Sequence, residues 1–341
     1  MNVQTPQKLQ PKDYASDQEV RWCPGCGDYA ILKAVQKTLA DIGAVPENTV
    51  FVSGIGCAAR FPYYLETYGF HTIHGRAPAF ATGVKLANPQ LDVWVVGGDG
   101  DMLSIGGNQL MHALRRNVDL NILLFNNEIY GLTKGQYSPT SRLGTRSPST
   151  PQGSVDRPVS ALAFGLGSGA RFVARSFDTA QKHLPVVLQR AQAFKGAALV
   201  EILQNCIVYN DNAFSHITER DVAPMRQLFV EHGKPLLFDG GKKGLRVKPG
   251  ALKLEVVEVG ADGPAAAGVL VHDETDAELA NLLVKLEPPN FPVAFGVIYC
   301  EPAESYDAAV HRQTAEVRAK ARSADLAQLM RSGPTWTVGS N

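Results

Sequence analysis

Charge imbalance is the first thing this 341-residue sequence lacks: 33 Lys and Arg stand against 33 Asp and Glu, so neither a nucleic acid nor another polyanion is the expected partner. Cysteine is scarce. Cys23, Cys26, Cys57, Cys206 and Cys300 are scattered along the chain, which excludes a secreted disulfide scaffold and leaves reduced thiols or metal ligands. No run approaches the roughly 20 apolar residues of a membrane span, and the polar start MNVQTPQKLQPKDYASDQEV carries no apolar h-region. A cytoplasmic protein without membrane contact is expected. There is no internal repeat and no C-x₂-C-x₂-C-x₃-C-P cysteine run.

What is present is alternation. Short apolar runs, NTVFVSGIGC (48–57), LDVWVVGGDGD (91–101), LNILLFNNEIYG (120–131), ARFVARS (170–176) and AALVEILQNC (197–206), read as strands. Before the first and between the next lie stretches of helical period or length: GDYAILKAVQKTLADIG, with Ile31, Leu32, Val35 and Leu39 on one face, PAFATGVKLANP, and GGNQLMHALRRNVD, with Leu110, Met111 and Leu114. The fold class is therefore α/β, a mostly parallel sheet with helices on both faces and a ligand crevice beyond the carboxyl ends of the strands. Residues 137–158, rich in Ser, Thr, Pro and Gly, read as a long loop of the kind that forms lids. Past 210 the pattern weakens into turns and short strands over 234–260, and 304–333 reads as a polar surface helix. Three segments are expected: an N-terminal extension (1–20), the main domain (21–210) and a C-terminal extension (211–341) making subunit contacts.

The chemistry concentrates in two turns. VVGGDGD sets Asp99 directly after a buried strand, flanked by Gly98 and Gly100, and LLFNN sets Asn127 at the same place after the next strand. The 28 residues between them match one strand-helix-strand unit, whose right-handed crossover returns the chain to the same edge of the sheet. One carboxylate and one amide oxygen suit a Mg²⁺ ion that keeps its other positions for phosphate and water. A dinucleotide site is disfavoured because the turn is not G-x-G-x-x-G. Cys23-Pro-Gly-Cys26 by itself is compatible with half a zinc site, a redox dithiol or a cluster. Cys57 and Cys206 each follow a predicted strand and so reach the same crevice edge; Cys300, after PVAFGVIY, does so equally on this reading.

GDG followed by NN resembles the thiamine diphosphate signature. Together with WCPGCGDY, SGIGC, HGRAPAFATGVKLA, GDGDMLSIGGNQLMHALRRN and NNEIYGLTKGQYSPT it resembles the β subunits of the 2-oxoacid:ferredoxin oxidoreductases, most of all those acting on 2-oxoglutarate, over residues 22 to about 210. The resemblance implies a thiamine diphosphate-binding fold in which Asp99, Asn127 and the carbonyl of Ile129 hold Mg²⁺. It implies a [4Fe-4S] cluster on Cys23, Cys26, Cys57 and Cys206, with Cys206 preferred over Cys300 by the resemblance alone. Ile55, Gly56, Cys57, His74, Gly75, Arg76, Gly98, Gly100, Asp101, Tyr130, Gly131, Leu132 and Thr133 would line the cofactor, Asp101 near the metal without ligating it. His74 and Lys134 are the catalytic candidates, the lysine opposite a substrate carboxylate. The implied reaction is reversible oxidative decarboxylation of 2-oxoglutarate with coenzyme A to succinyl-CoA and CO₂, electrons passing to ferredoxin. An α subunit completes the site, in a dimer of αβ heterodimers. Pyruvate or other 2-oxoacids, or a non-redox thiamine enzyme, are the alternatives.

Overall fold

The computed structural model describes residues 9–320 and 325–339. Its centre is an eight-stranded sheet of β1 (Thr49–Ser53), β2 (Tyr68–His71), β3 (Asp92–Gly98), β4 (Leu120–Asn126), β5 (Phe172–Phe177), β6 (Ala197–Leu203), β7 (Gln227–Val230) and β8 (Val293–Cys300). The spatial order is β2-β1-β3-β4-β6-β5-β8-β7. Neighbours pair in parallel except β8 against β5, so β8 and β7 run opposite to the other six.

Apolar residues alternate between the two sheet faces because successive strand side chains point to opposite sides. Val50, Val52, Val93, Val95, Ile122 and Leu124 fill one layer with helices α2 (Ala77–Ala87), α4 (Gly107–Arg115) and α5 (Ala161–Gly167). Phe51, Trp94, Val96, Leu123 and Phe125 fill the other with α1 (Asp28–Ile42) and α6 (Leu184–Ala193). Strands covered on both faces carry near-continuous apolar runs, and β4 is buried at all seven positions. The α1 stripe of Ile31, Leu32, Val35 and Leu39 is buried as its period requires, and Gly43 stops the helix in a left-handed cap at φ 67°. A short helix α3 (Asp99–Leu103) begins where the run 91–101 was expected to continue as strand. Edge strand β2 (YGFH) is exposed at all four positions, Tyr68 and Phe70 included, and lacks the longer apolar run by which the other strands are read.

Residues beyond 210 contribute β7 and β8 to this same sheet, and Leu237–Phe238, Lys243–Val247 and Leu254–Glu258 form a separate antiparallel sheet. The polar stretch near the end forms helices Tyr306–Lys320 and Leu326–Met330; 321–324 and 1–8 lie outside the described residues. Within the first 20 residues Tyr14 is fully buried, its hydroxyl donating to the Ala44 carbonyl at 2.6 Å. Among the described residues no helix is long and apolar enough to cross a membrane.

Candidate functional site

Six strands pointing the same way deliver their following turns to one edge. Asp99 opens α3 just past β3, buried to 1% exposure, and its Oδ2 accepts hydrogen bonds from Ser138 and Thr140. Burial pushes this carboxyl up to about 6, and the two hydroxyls pull it back down. Thr140 Oγ1 also lies 2.9 Å from Oδ1 of Asn126, so the start of the 137–158 loop is pinned onto the site rather than hanging over it as a free lid. Asn127 donates to Gln204 Oε1 at 2.8 Å and accepts the Ile129 N–H at 3.2 Å. The Tyr130 ring lies so close over Gly100 that a Cβ there would sit 2.2 Å from it, while the Tyr130 hydroxyl donates to the Gly100 carbonyl at 3.0 Å. Only glycine fits between the two aspartates of the motif.

These turns enclose a cavity of about 440 Å³. Its walls hold Ile55, Gly56 and Cys57 from the turn after β1, His74 from the loop after β2, and Gly98, Asp99, Gly100 and Asp101 after β3. Asn127, Ile129, Tyr130, Gly131, Leu132 and Thr133 close it from the turn after β4. Gly75 and Arg76 flank it: the Gly75 N–H donates to Asp101 Oδ1 at 2.7 Å, and Arg76 donates to the Ile105 carbonyl and Gln109 Oε1, each at 3.2 Å. Phe125, Ala58 and Gln136 complete the lining without having been singled out in the sequence. Their types are ordinary for a core or a turn. Asp211 holds the Asn205 amide at 2.8 Å, and His216 lies 3.4 Å from Arg142, both outside this lining.

A second cavity of about 210 Å³ abuts the first, lined by Cys23, Cys26, Cys57 and Cys206. Lys134 lines this cavity, with Arg21 and Arg60, and not the larger one. The hairpin backbone at Gly131 passes between sulfurs: a Cβ there would lie 3.5 Å from Cys206 Sγ and 3.6 Å from Cys57 Sγ. Burial, with the Asp28 carboxylate nearby, drives the Cys26 thiol far above its usual range and Cys57 up to about 12. Such thiols stay protonated until a metal centre claims them as thiolates. Asp28, at the start of α1, is fully buried with neither oxygen in hydrogen-bonding geometry; burial pushes it up to about 7, the Cys26 thiol pulls it down and Asp178 raises it. Among the described residues no three Cys, His, Asp or Glu side chains converge as they would on a single ion. The four thiols instead line one small cavity, and could hold a metal centre that spans it.

Cys300 stands apart. It ends β8, and because β8 is antiparallel its partner is Phe172 at the start of β5, which places Cys300 at the opposite edge of the sheet. Its thiol is raised by burial and sits between Glu274 and Arg190.

Residues 54–202 match the family described as thiamine pyrophosphate enzyme, C-terminal TPP binding domain, a span that opens at the glycine before Ile55 and closes within β6. The 2-oxoglutarate oxidoreductase subunit KorB of Mycobacterium tuberculosis is 49% identical over 98% of this chain and 90% of its own length. The chain belongs to the β-subunit family of the 2-oxoacid:ferredoxin oxidoreductases. Another member, the β subunit of 2-oxoacid:ferredoxin oxidoreductase 2 from Aeropyrum pernix, is 42% identical over 81% of this chain and 87% of its own. Among solved structures, a 2-oxoglutarate:ferredoxin oxidoreductase from Magnetococcus marinus, with 2-oxoglutarate, coenzyme A and succinyl-CoA bound, superposes with a TM-score of 0.77 at 31% identity, over 96% of this chain and 97% of that one. The β-subunit fold thus extends through the C-terminal segment that the sequence resemblance covers weakly.

Proposed function

We propose that this chain is the β subunit of a cytoplasmic 2-oxoglutarate:ferredoxin oxidoreductase, converting 2-oxoglutarate and coenzyme A to succinyl-CoA and CO₂, reversibly, with electrons passing to ferredoxin. One observation carries the reading: the thiol cavity and the larger cavity share Cys57, Asn127, Gly131 and Leu132, so a redox centre and an organic cofactor would be separated by a single strand of backbone.

Asp99, Asn127 and the Ile129 carbonyl would hold Mg²⁺ beneath a diphosphate, the buried carboxylate already oriented by Ser138 and Thr140. Ile55 and Phe125 give the cavity an apolar wall that excludes water from reacting groups. Cys23, Cys26, Cys57 and Cys206 would hold a [4Fe-4S] cluster, and Arg21, Arg60 and Lys134 would offset its negative charge. When bound, thiamine diphosphate supplies the nucleophile and electron sink for decarboxylation and the cluster a one-electron acceptor. His74 faces the cavity as the candidate for proton handling. The carboxylate that activates a thiamine ring is assigned to an α subunit, in a dimer of αβ heterodimers.

The test is anaerobic co-purification with the α subunit, iron and sulfide analysis, and turnover compared on 2-oxoglutarate, pyruvate and branched 2-oxoacids. About four irons per β chain and a preference for 2-oxoglutarate are expected; zinc without iron would sink the cluster assignment. Equal turnover on all three substrates would support the broader 2-oxoacid activity named for the Aeropyrum relative.

A further inference from the structure

Asp101 is the second aspartate of GDGD and is 2% exposed, yet it ligates nothing in the scheme above. Its Oδ1 gathers three groups from two other turns: the N–H of Ile55 at 3.1 Å, the N–H of Gly75 at 2.7 Å and Nδ1 of His74 at 2.8 Å. Its Oδ2 has no partner and fills space that only glycine leaves free, since a Cβ at Gly54 would sit 2.0 Å from it and one at Gly97 2.6 Å. The carboxylate is thus fixed by two backbone donors and by two glycines that could not be anything larger.

We infer that Asp101 is the positioning residue of His74, holding the proton on Nδ1 so that Nε2 is presented to the reacting groups as an acceptor. Nδ1 is buried against the carboxylate while 37% of the His74 side chain stays open, on the ring that lines the larger cavity. A carboxylate can accept a hydrogen bond and never donate one, so it selects the Nδ1–H tautomer. The 2.8 Å contact lies off the line of a good hydrogen bond, as such pairs do before a ligand tightens them. Because Ile55 and Gly75 hang from the same oxygen, the brace also fixes the turn that presents Cys57 relative to the loop that presents His74.

The inference rests on the functional reading above, and the experiment separates the two. Asp101→Asn, His74→Gln and the double variant are purified with the α subunit. Because all three groups meet Oδ1, Asn keeps its oxygen there for the two N–H donors and puts its NH₂ in place of Oδ2; Nδ1 then faces a neutral acceptor instead of a carboxylate, and the preference for the Nδ1–H tautomer weakens. Asp101→Asn is expected to lower kcat on 2-oxoglutarate by about tenfold, with KM and thiamine diphosphate affinity within about threefold of wild type. The double variant should be no worse than His74→Gln alone. Independently of substrate, carbethoxylation of His74 by diethyl pyrocarbonate, followed by peptide mass spectrometry, should slow by about twofold in Asp101→Asn as Nε2 carries the proton in a larger share of molecules. Multiplying losses in the double variant, or unchanged His74 reactivity, would overturn the inference. A wild-type complex inert toward every 2-oxoacid defeats the functional reading instead, and the carbethoxylation rates still decide the role of Asp101.

Discussion

The two edges of the central sheet are built from the same residue types and put them to opposite use. At the amino edge Lys85 pairs with Asp119 at 2.7 Å and donates to the Leu91 carbonyl at 2.8 Å. Asn117, held at φ 52°, accepts the Ala197 N–H at 3.0 Å and donates to the Glu304 carbonyl at 3.3 Å. These buried polar groups are matched within the chain. At the carboxyl edge the buried Asp28 carboxylate meets only the Cys26 thiol, one oxygen of Asp101 has no partner, and four thiols face a cavity. Folding alone selects for matched groups, because an unpaired buried one costs about 1–3 kcal/mol. Glu274 Oε2, beside Cys300 at the amino edge, is unpaired as well, so an unpaired group alone marks nothing; at the carboxyl edge the unpaired groups stand beside two cavities, and there something other than stability is being served.

The sharpest way to break this contrast is to make one change at each edge. Cys206→Ser should remove the iron from the purified complex and abolish ferredoxin reduction, whereas Cys300→Ser should keep both. Iron analysis showing equal loss would mean that Cys300 supports the cluster after all. Next in size, Asp99→Asn should weaken thiamine diphosphate retention by at least about 100-fold while leaving the cofactor-free protein as stable as before or more so, since a buried charge is removed. Calorimetric binding and thermal melts on one preparation read both. At the other edge Lys85→Met should reverse that outcome, destabilising by about 3 kcal/mol because Asp119 loses its partner, with cofactor affinity unchanged.

The smallest expected effect concerns His183, half-buried at the start of α6 against Phe229, with Ser176 Oγ at 2.9 Å from Nδ1. Burial lowers it to about 4 from 6.5. The folded state therefore resists protonation that the unfolded chain accepts, so stability should be fully present above about pH 6.5 and decline as pH falls toward 4, by roughly 2 kcal/mol. Chemical denaturation at pH 7 and pH 5 should show a slope that His183→Leu removes.

Much of the carboxyl edge was legible because its chemistry is local. GDG and NN each carry a ligand type beside a strand end, and the 28-residue interval is a geometric statement in itself. The rest depended on long-range returns of the chain. Ser138 and Thr140 sit in a stretch whose composition reads only as loop, and nothing local says that they fold back onto Asp99. Lys134 follows the NN turn closely, but at φ 76° beside Gly135 it is in a left-handed turn, and it lines the thiol cavity. Cys206 and Cys300 look alike in sequence, each ending an apolar strand; strand direction distinguishes them, and periodicity says nothing of direction.

The insertion of β8 between β5 and β7 also bears on how the chain is made. Every strand that carries a site residue has left the ribosome by residue 206, but β5 presents an unpaired edge until Cys300 emerges, nearly a hundred residues later. A nascent chain holding that interval open is a template for edge-to-edge association. Chaperone demand and expression yield should therefore track the integrity of 293–300 more closely than that of any cofactor ligand, and a shortened chain ending near 210 should be recovered as aggregate.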